Sequence, residues 1–377
     1  MSEIFSKLMK YQEMKKINVK KHPTKDLYLT CYGKSVFYEK AWDDATINAR
    51  GHVYNGKGEI VSLPFPKIFN LNETTETSLE HVSCLDEEYE VLDKVNGHLC
   101  ILFHDGEEWI NTTKGSWEHE FISQDKALLE KMGIIDSLNG ILSLSHTMTF
   151  MFEIIADYDK HTLFEKEVWK YGNGENVAVL LGATDKLHPG MIINHAYLSA
   201  WSRIIKAPVV EKFNHNLEDI MDLFSVSNTE GFVFHFLNSD LRVKVKTSEY
   251  LKMRFNNQFK NKAKETFMSL YKDRNFDDIP EEYHGVFKIV LKNFDEYKRI
   301  TIDYYKREFE DIRKDHPDDE SARRFIGRLD KSYSYFLFGA MNPTARFEKV
   351  LAQEYAEIFE GTINRHGFEF RADKLFD

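Results

Sequence analysis

Apolar and polar positions follow two rhythms along this chain. Up to about residue 247, apolar residues come in short runs broken by turn signals, which predicts strands. In 51–65 (GHVYNGKGEIVSLPF), two β-rich runs flank Asn55-Gly56-Lys57-Gly58, a hairpin signal. Within 89–115 a second strand pair turns at Asp105-Gly106, and 145–156 (SHTMTFMFEIIA) reads as a strand in an apolar setting. The run 229–236 (TEGFVFHF), the turn at Asn238-Ser239-Asp240 and the run 241–247 (LRVKVKT) predict a third hairpin. Short helices are expected near 118–132 and 216–224.

After residue 248 the period lengthens. In 281–314 the apolar residues fall at helical spacing with no turn residue beyond Gly285. The stretch 343–361 opens with Pro343 and closes at Gly361, as helices often do. The pattern predicts an α+β fold: a domain over 1–248 built on antiparallel sheets, then an all-helical domain over 249–377.

Composition adds constraints. A length of 377 residues exceeds what one core usually serves, which fits two domains. With 42% hydrophobic and 29% charged residues, the chain belongs with folded soluble proteins, and its 29 Phe and 18 Tyr are expected mainly in cores. A net charge of −11 excludes a protein that coats nucleic acid indiscriminately, but leaves room for a local basic site. Cys31, Cys84 and Cys100 form no CxxC or Cys/His pattern, which argues against disulfides or structural zinc and for a reducing cytoplasm. No signal-peptide stretch opens the sequence and no apolar run is long enough to span a membrane. A monomer is the default expectation.

The candidate chemistry starts at Lys94-Val95-Asn96-Gly97, a Lys-x-x-Gly element at a strand end. Taken alone, it is equally an Asn-Gly hairpin turn beside a lysine. Glu153 shares a strand face with Met151 and Ile155, where a carboxylate needs a cation, a metal or donors unless the strand is an exposed edge. Glu230-Gly231 opens a strand, and the glycine either permits a close approach or is an ordinary turn residue. Arg242, Lys244 and Lys246 lie on the face opposite Leu241, Val243 and Val245. That basic face is either simply solvated or set beside Glu230 by the hairpin. His98, His104 and His235 have no ligand-like spacing and read as structural.

The order Lys-x-x-Gly, Phe152-Glu153, Glu230-Gly231, Lys244-x-Lys246 resembles the covalent nucleotidyltransferases, which include RNA ligases, DNA ligases and mRNA capping enzymes. Arg50-Gly51, the stretch Lys67-Ile68-Phe69-Asn70-Leu71-Asn72-Glu73, and Lys114-Gly115-Ser116 narrow the resemblance to the tRNA-repairing RNA ligases of T-even bacteriophages. The likeness is specific across 50–250 and only general over the helical tail.

That resemblance implies an ATP-dependent enzyme joining RNA 3′-hydroxyl and 5′-phosphate ends, such as those of a broken tRNA, through lysyl-AMP and RNA-adenylate intermediates. Lys94 would be the nucleophile. A free lysine titrates near 10.4, and neighbouring cations or a divalent metal favour the unprotonated amine. Lys244 and Lys246 would be those cations and would neutralise the α-phosphate as it is attacked. Arg50, Lys67, Phe69, Gly97, Lys114, Glu153, Glu230, Gly231, Lys244 and Lys246 would bind the nucleotide. Glu153, Glu230 and Asp277 would hold Mg²⁺ or Mn²⁺. The helical tail would select the RNA, and its lack of alternating strands argues against the OB-fold appendage of DNA ligases and capping enzymes. A separate end-healing kinase/phosphatase is an expected collaborator. The alternatives are a DNA ligase of the same superfamily, or a homologue that binds RNA ends or nucleotide without catalysis.

Overall fold

The short alternating runs fold into three sheets. The computed structural model describes residues 3–366 apart from 119, 160–163, 275, 277–278 and 281–282. The chain forms two compact units, Met1–Tyr250 and Leu251–Asp377. In the first unit, β1 (Ile17–Lys21), β2 (Leu27–Tyr32), β3 (Arg50–Asn55) and β4 (Ile60–Ser62) make one antiparallel sheet in that order. The β3–β4 hairpin forms where the turn signal lies, because Asn55 Oδ1 accepts the N–H groups of Lys57 and Glu59.

Two further strands, β5 (Phe69–Asn70) and β6 (Tyr89–Asp93), precede the second sheet. That sheet comprises β7 (His98–His104), β8 (Trp109–Thr112), β9 (Met148–Ile155) and β10 (Val177–Asp185), ordered β10-β9-β7-β8. Then β11 (Lys212–Phe213), β12 (Gly231–Phe236) and β13 (Arg242–Lys246) join the earlier pair in a five-stranded sheet, β11-β6-β12-β13-β5. All its pairs are antiparallel except β13 with β5.

The second sheet is buried on both faces, which explains why its strands read as nearly continuous apolar runs. Cys100, Leu102, Phe150, Phe152 and Ile154 point to one side, where Leu128 and Leu129 of helix Ile122–Lys131 and Leu198 and Ile205 of helix His195–Ile205 cover them. Ile101, Phe103 and Met151 point to the other, against Leu27, Leu29 and Val53 of the first sheet. The alternation follows from the period of two along each strand.

Some boundaries differ from expectation. The strand predicted over 145–156 begins at Met148, because Leu142–Ser145 closes a short helix first. The 216–224 helix is a 3₁₀ turn, Leu217–Asp219, running into Ile220–Leu223. Helix His195–Ile205 has no counterpart among the expected elements; Asn194 caps it by accepting the N–H of Tyr197 through Oδ1.

In the second unit, helices Ala263–Asp273, His284–Asp315, Asp319–Ile326, Lys331–Met341 and Ala345–His366 succeed one another. Helix Ser248–Phe259 spans the division between the units. The core of the second unit is rich in aromatics, including Phe267, Phe287, Phe294, Phe336 and Phe347. Its last helix does not stop at Gly361 but continues to His366. Ile363 beyond the glycine is buried in that core, and such packing outweighs the roughly 1 kcal/mol that an interior glycine costs. No described helix is long and apolar enough to cross a membrane.

Candidate active site

Strands β6 and β7 pair into different sheets, so Lys94-Val95-Asn96-Gly97 is a crossing between two sheets and not a hairpin turn. Each end of the crossing is tied to a different sheet. The Lys94 N–H donates to the Gly231 carbonyl at 3.0 Å. The Gly97 N–H donates to Glu153 Oε1 at 3.1 Å. Glycine is required at 97 by contact with β9: a β-carbon there would lie 2.2 Å from the Ile154 carbonyl oxygen. Gly231 is constrained in the same way, with a β-carbon 2.0 Å from the Val245 carbonyl oxygen across the hairpin.

Glu230 occupies the centre of this arrangement. Its carboxylate is buried, forms an ion pair with the Lys94 ammonium, and accepts the Asn96 Nδ2–H at 2.5 Å. Burial alone would raise its pKa, but the charges of Lys94 and Lys246 and the Lys94 and Asn96 hydrogen bonds outweigh it and hold the group below the usual glutamate range. Asn96 Nδ2 also reaches the Tyr250 hydroxyl at 3.1 Å. In the β12–β13 register, Lys246 lies opposite Gly231 and Lys244 opposite Val233. The two lysines are partly exposed and lie on one side of β13, with Val243 and Val245 buried on the other. Arg242 departs from a solvated basic face: it is buried, stacks 3.9 Å above the Phe65 ring and pairs with Asp240.

Glu153 is not on an edge, since β9 is flanked by both β7 and β10. It sits partly buried opposite Leu99 and Val179, with Oε1 turned to the Gly97 amide. Arg50, at the start of β3, feels its charge: burial pulls the guanidinium below its ordinary pKa while Tyr32 and Glu153 offset the shift. Lys114 is exposed in the turn after β8, and its backbone passes close to Gly51. Lys67 stands two residues before β5. Its ammonium is buried, pairs with Glu73 at 2.9 Å, and lies 4.3 Å from the Phe69 ring centre and 5.3 Å from that of Trp42. Strand β5 brings Phe69 and Asn70 alongside Val243 and Lys244. Asp277 lies outside the described residues.

Several residues of this neighbourhood belong to no sequence motif. Asp93, buried just before Lys94, accepts hydrogen bonds from Lys170 at 2.7 Å, Tyr171 at 2.6 Å and Thr229 at 3.3 Å. Glu167 is buried nearby, and among the described residues its Oε2 has no hydrogen-bond partner. Burial, with Asp93 and Glu230 adding to it against Lys170, pushes its pKa up to about 8, so it holds a proton at neutral pH. Adjacency to Lys94 could have flagged Asp93. Nothing in the spacing could have flagged helix Phe164–Gly172, which supplies Glu167, Lys170 and Tyr171.

The site thus combines a crossing loop with a lysine, a buried glutamate and two flanking lysines, carried on paired sheets. The chain belongs to the RNA ligase family, whose sequence pattern it matches over residues 48–267. No curated protein sequence matches it. Among solved structures, an archaeal ATP-dependent RNA ligase is 13% identical with a TM-score of 0.50, and the alignment covers 97% of this chain and 89% of that one. The fold is therefore that of the archaeal enzyme. A Naegleria gruberi RNA ligase mutant solved with ATP and Mn is 14% identical with a TM-score of 0.37; the alignment covers 47% of this chain and 53% of that one, about half its length.

Proposed function

We propose that the protein is an ATP-dependent RNA ligase acting through a covalent adenylate on Lys94. The observation that carries this reading is the Lys94 ammonium held on buried Glu230, within a loop pinned to two sheets and beside the lysine-bearing strand β13. Positioning and charge neutralisation are what phosphoryl transfer asks of a protein. Family membership and the likeness to an archaeal ATP-dependent RNA ligase support the choice of nucleotide.

In the first step the Lys94 amine, having lost its proton to solvent, forms an N–P bond to the α-phosphate of ATP, and the α–β anhydride bond breaks to release pyrophosphate. Lys244 and Lys246 offset the charge that gathers on the α-phosphate oxygens. In the second step an RNA 5′-phosphate oxygen attacks and the N–P bond breaks, leaving an RNA-adenylate. In the third, an RNA 3′-hydroxyl attacks that phosphate and AMP departs. Glu153 and Glu230 flank the crossing loop and suit Mg²⁺ or Mn²⁺, which takes one or two carboxylates and keeps several waters. Such binding is compatible with the finding that no group of three or more His, Cys, Asp or Glu among the described residues could hold a metal ion. A bound divalent ion would supply further charge neutralisation at the phosphates. Arg50 and Lys114 are assigned to the nucleotide or RNA phosphates. Phe69 is assigned to the wall of the nucleotide site, and Lys67, like Arg50, to the outer phosphates or the RNA end. Residues 1–248 would carry the adenylyl transfer, and 249–377 would select the RNA, with tRNA repair as the intended use.

Incubation with α-³²P-ATP and Mg²⁺ followed by denaturation tests the reading. A covalent label on the wild type that is lost in Lys94→Ala is the expected result. An unlabelled wild type would overturn it in favour of a non-catalytic homologue. Circularisation of a 5′-phosphorylated single strand, offered as RNA or as DNA, then decides the substrate, and activity on nicked DNA duplex alone would refute the RNA assignment.

A further inference from the structure

His98 follows Gly97 directly, and its ring joins three segments of the chain. Nδ1 lies 2.6 Å from Asp159 Oδ2, while Nε2 lies 3.0 and 3.2 Å from the two carboxylate oxygens of Asp125. Both ring nitrogens face acceptor-only oxygens, and only the imidazolium can donate from both. Asp125 is fully buried on helix Ile122–Lys131 and also accepts the Tyr158 hydroxyl at 2.9 Å. Tyr158 and Asp159 lie in the turn that leaves β9, the strand carrying Glu153. Phe121 and Tyr158 flank the imidazole, with ring centres 5.0 and 6.2 Å away. Consistent with this geometry, burial opposes the charge but the two aspartates overcome it, pushing the His98 pKa up to about 9.

The location is what gives the cluster a role. The crossing loop is secured at its start by Asp93 and by the Lys94 amide, in its middle by the Asn96 side chain on Glu230 and Tyr250, and at its end by the Gly97–Glu153 hydrogen bond. His98 is the next residue, paired with Ile154 in the sheet, so its side chain adds a charged restraint to that end. We propose that His98, clamped as a cation between Asp125 and Asp159, is a positioning residue that fixes the Lys94 loop and Glu153 relative to each other for adenylyl transfer. This rests on the reading of Lys94 as the adenylated residue. Charge-assisted bonds on both sides of one ring resist displacement far better than neutral ones. A misplacement of about 1 Å at such a site costs on the order of 100-fold in rate.

Two variants test it. His98→Gln removes the charge, and Asp159→Asn, at the more exposed aspartate, leaves His98 and Asp125 paired and is the milder change. Single-turnover labelling with α-³²P-ATP at saturating nucleotide is expected to slow by about 10- to 100-fold in both variants, with the half-saturating ATP concentration within about threefold of wild type. Hydrogen exchange at the Gly97 amide, read by mass spectrometry or NMR without ATP, is expected to accelerate in parallel. A folded variant that labels at the wild-type rate would overturn the proposal, as would unchanged exchange at Gly97. If His98→Gln fails to fold, Asp159→Asn decides alone. Should the wild type itself take no label, the function assigned to Lys94 fails, and the exchange measurement still decides whether His98 fixes the loop.

Discussion

The two units of this protein bury different things. In Met1–Tyr250 the buried residues include Lys67, Glu90, Asp93, Asp125, Glu167, Glu230 and Arg242, while among the described residues beyond 250 every buried side chain is apolar or aromatic. Charge divides the same way: residues 251–377 carry 24 Lys/Arg and 24 Asp/Glu, so the whole net charge of −11 belongs to residues 1–250. A buried charge is costly unless partners meet it, and a fold keeps several only where they are satisfied or put to use. The first unit is therefore where chemistry is to be sought. The second is a core of interlocking rings whose charged groups sit on the surface, in pairs such as Arg299 with Glu296 and Asp303.

The contrast can be broken most sharply at Glu230. Glu230→Gln removes the anion that holds both Lys94 and Asn96, and adenylate formation is expected to fall by at least about 100-fold. A single-turnover rate within tenfold of wild type would show that the buried carboxylate stands apart from the chemistry. The complementary cut is Phe287→Ala in the aromatic core. It should cost about 3–5 kcal/mol in a denaturant titration, while protein still folded at low temperature labels at close to the wild-type rate. Loss of labelling in folded protein would show that the helical unit takes part in adenylation.

Smaller effects sharpen the picture through pH. The folded-state pKa of His98 is raised to about 9 from an ordinary 6.5, so its contribution to stability is full below 6.5 and lost as pH rises through 9. Thermal midpoints of the wild type should decline across that window, and His98→Gln should flatten the decline. Glu167 has the same sign at a different place, because its carboxyl is raised from 4.5 to about 8. What it contributes is present below 4.5 and is lost as pH rises through 8, so Glu167→Gln should be more stable than wild type at pH 8.5, by on the order of 1 kcal/mol or more, with the advantage shrinking toward pH 5. At the bottom of the scale, Arg299→Ala on the second unit's surface should leave the midpoint unchanged.

Much of the fold and part of the site could be read without coordinates. The β3–β4 and β12–β13 hairpins announce themselves through Asn55-Gly56 and Asn238-Ser239-Asp240, since turn chemistry is local. The order of Lys94, Glu153, Glu230, Lys244 and Lys246 was visible for the same reason: each is a short motif on its own strand or strand end. The hidden parts were those assembled at long range. His98 looked like an ordinary structural histidine because Asp125 and Asp159 are far away in sequence, and no spacing rule joins one strand residue to a helix and to the turn after another strand. Helix Phe164–Gly172, with Glu167 and Lys170, joins the Lys94 neighbourhood only through the long-range contact of Lys170 with Asp93.

By itself, then, the amino-acid sequence determined the alternation of strand and helix periods, the turns, and which residue types stand at the motif positions. Those are properties of a few consecutive residues and their intrinsic geometry. Tertiary structure alone decided that Lys94-Val95-Asn96-Gly97 crosses between two sheets, that Glu153 lies on an interior strand, and that Glu230 is buried against Lys94. Strand order and burial depend on contacts between distant segments, and the cost or value of a charge is set by what surrounds it once those contacts form.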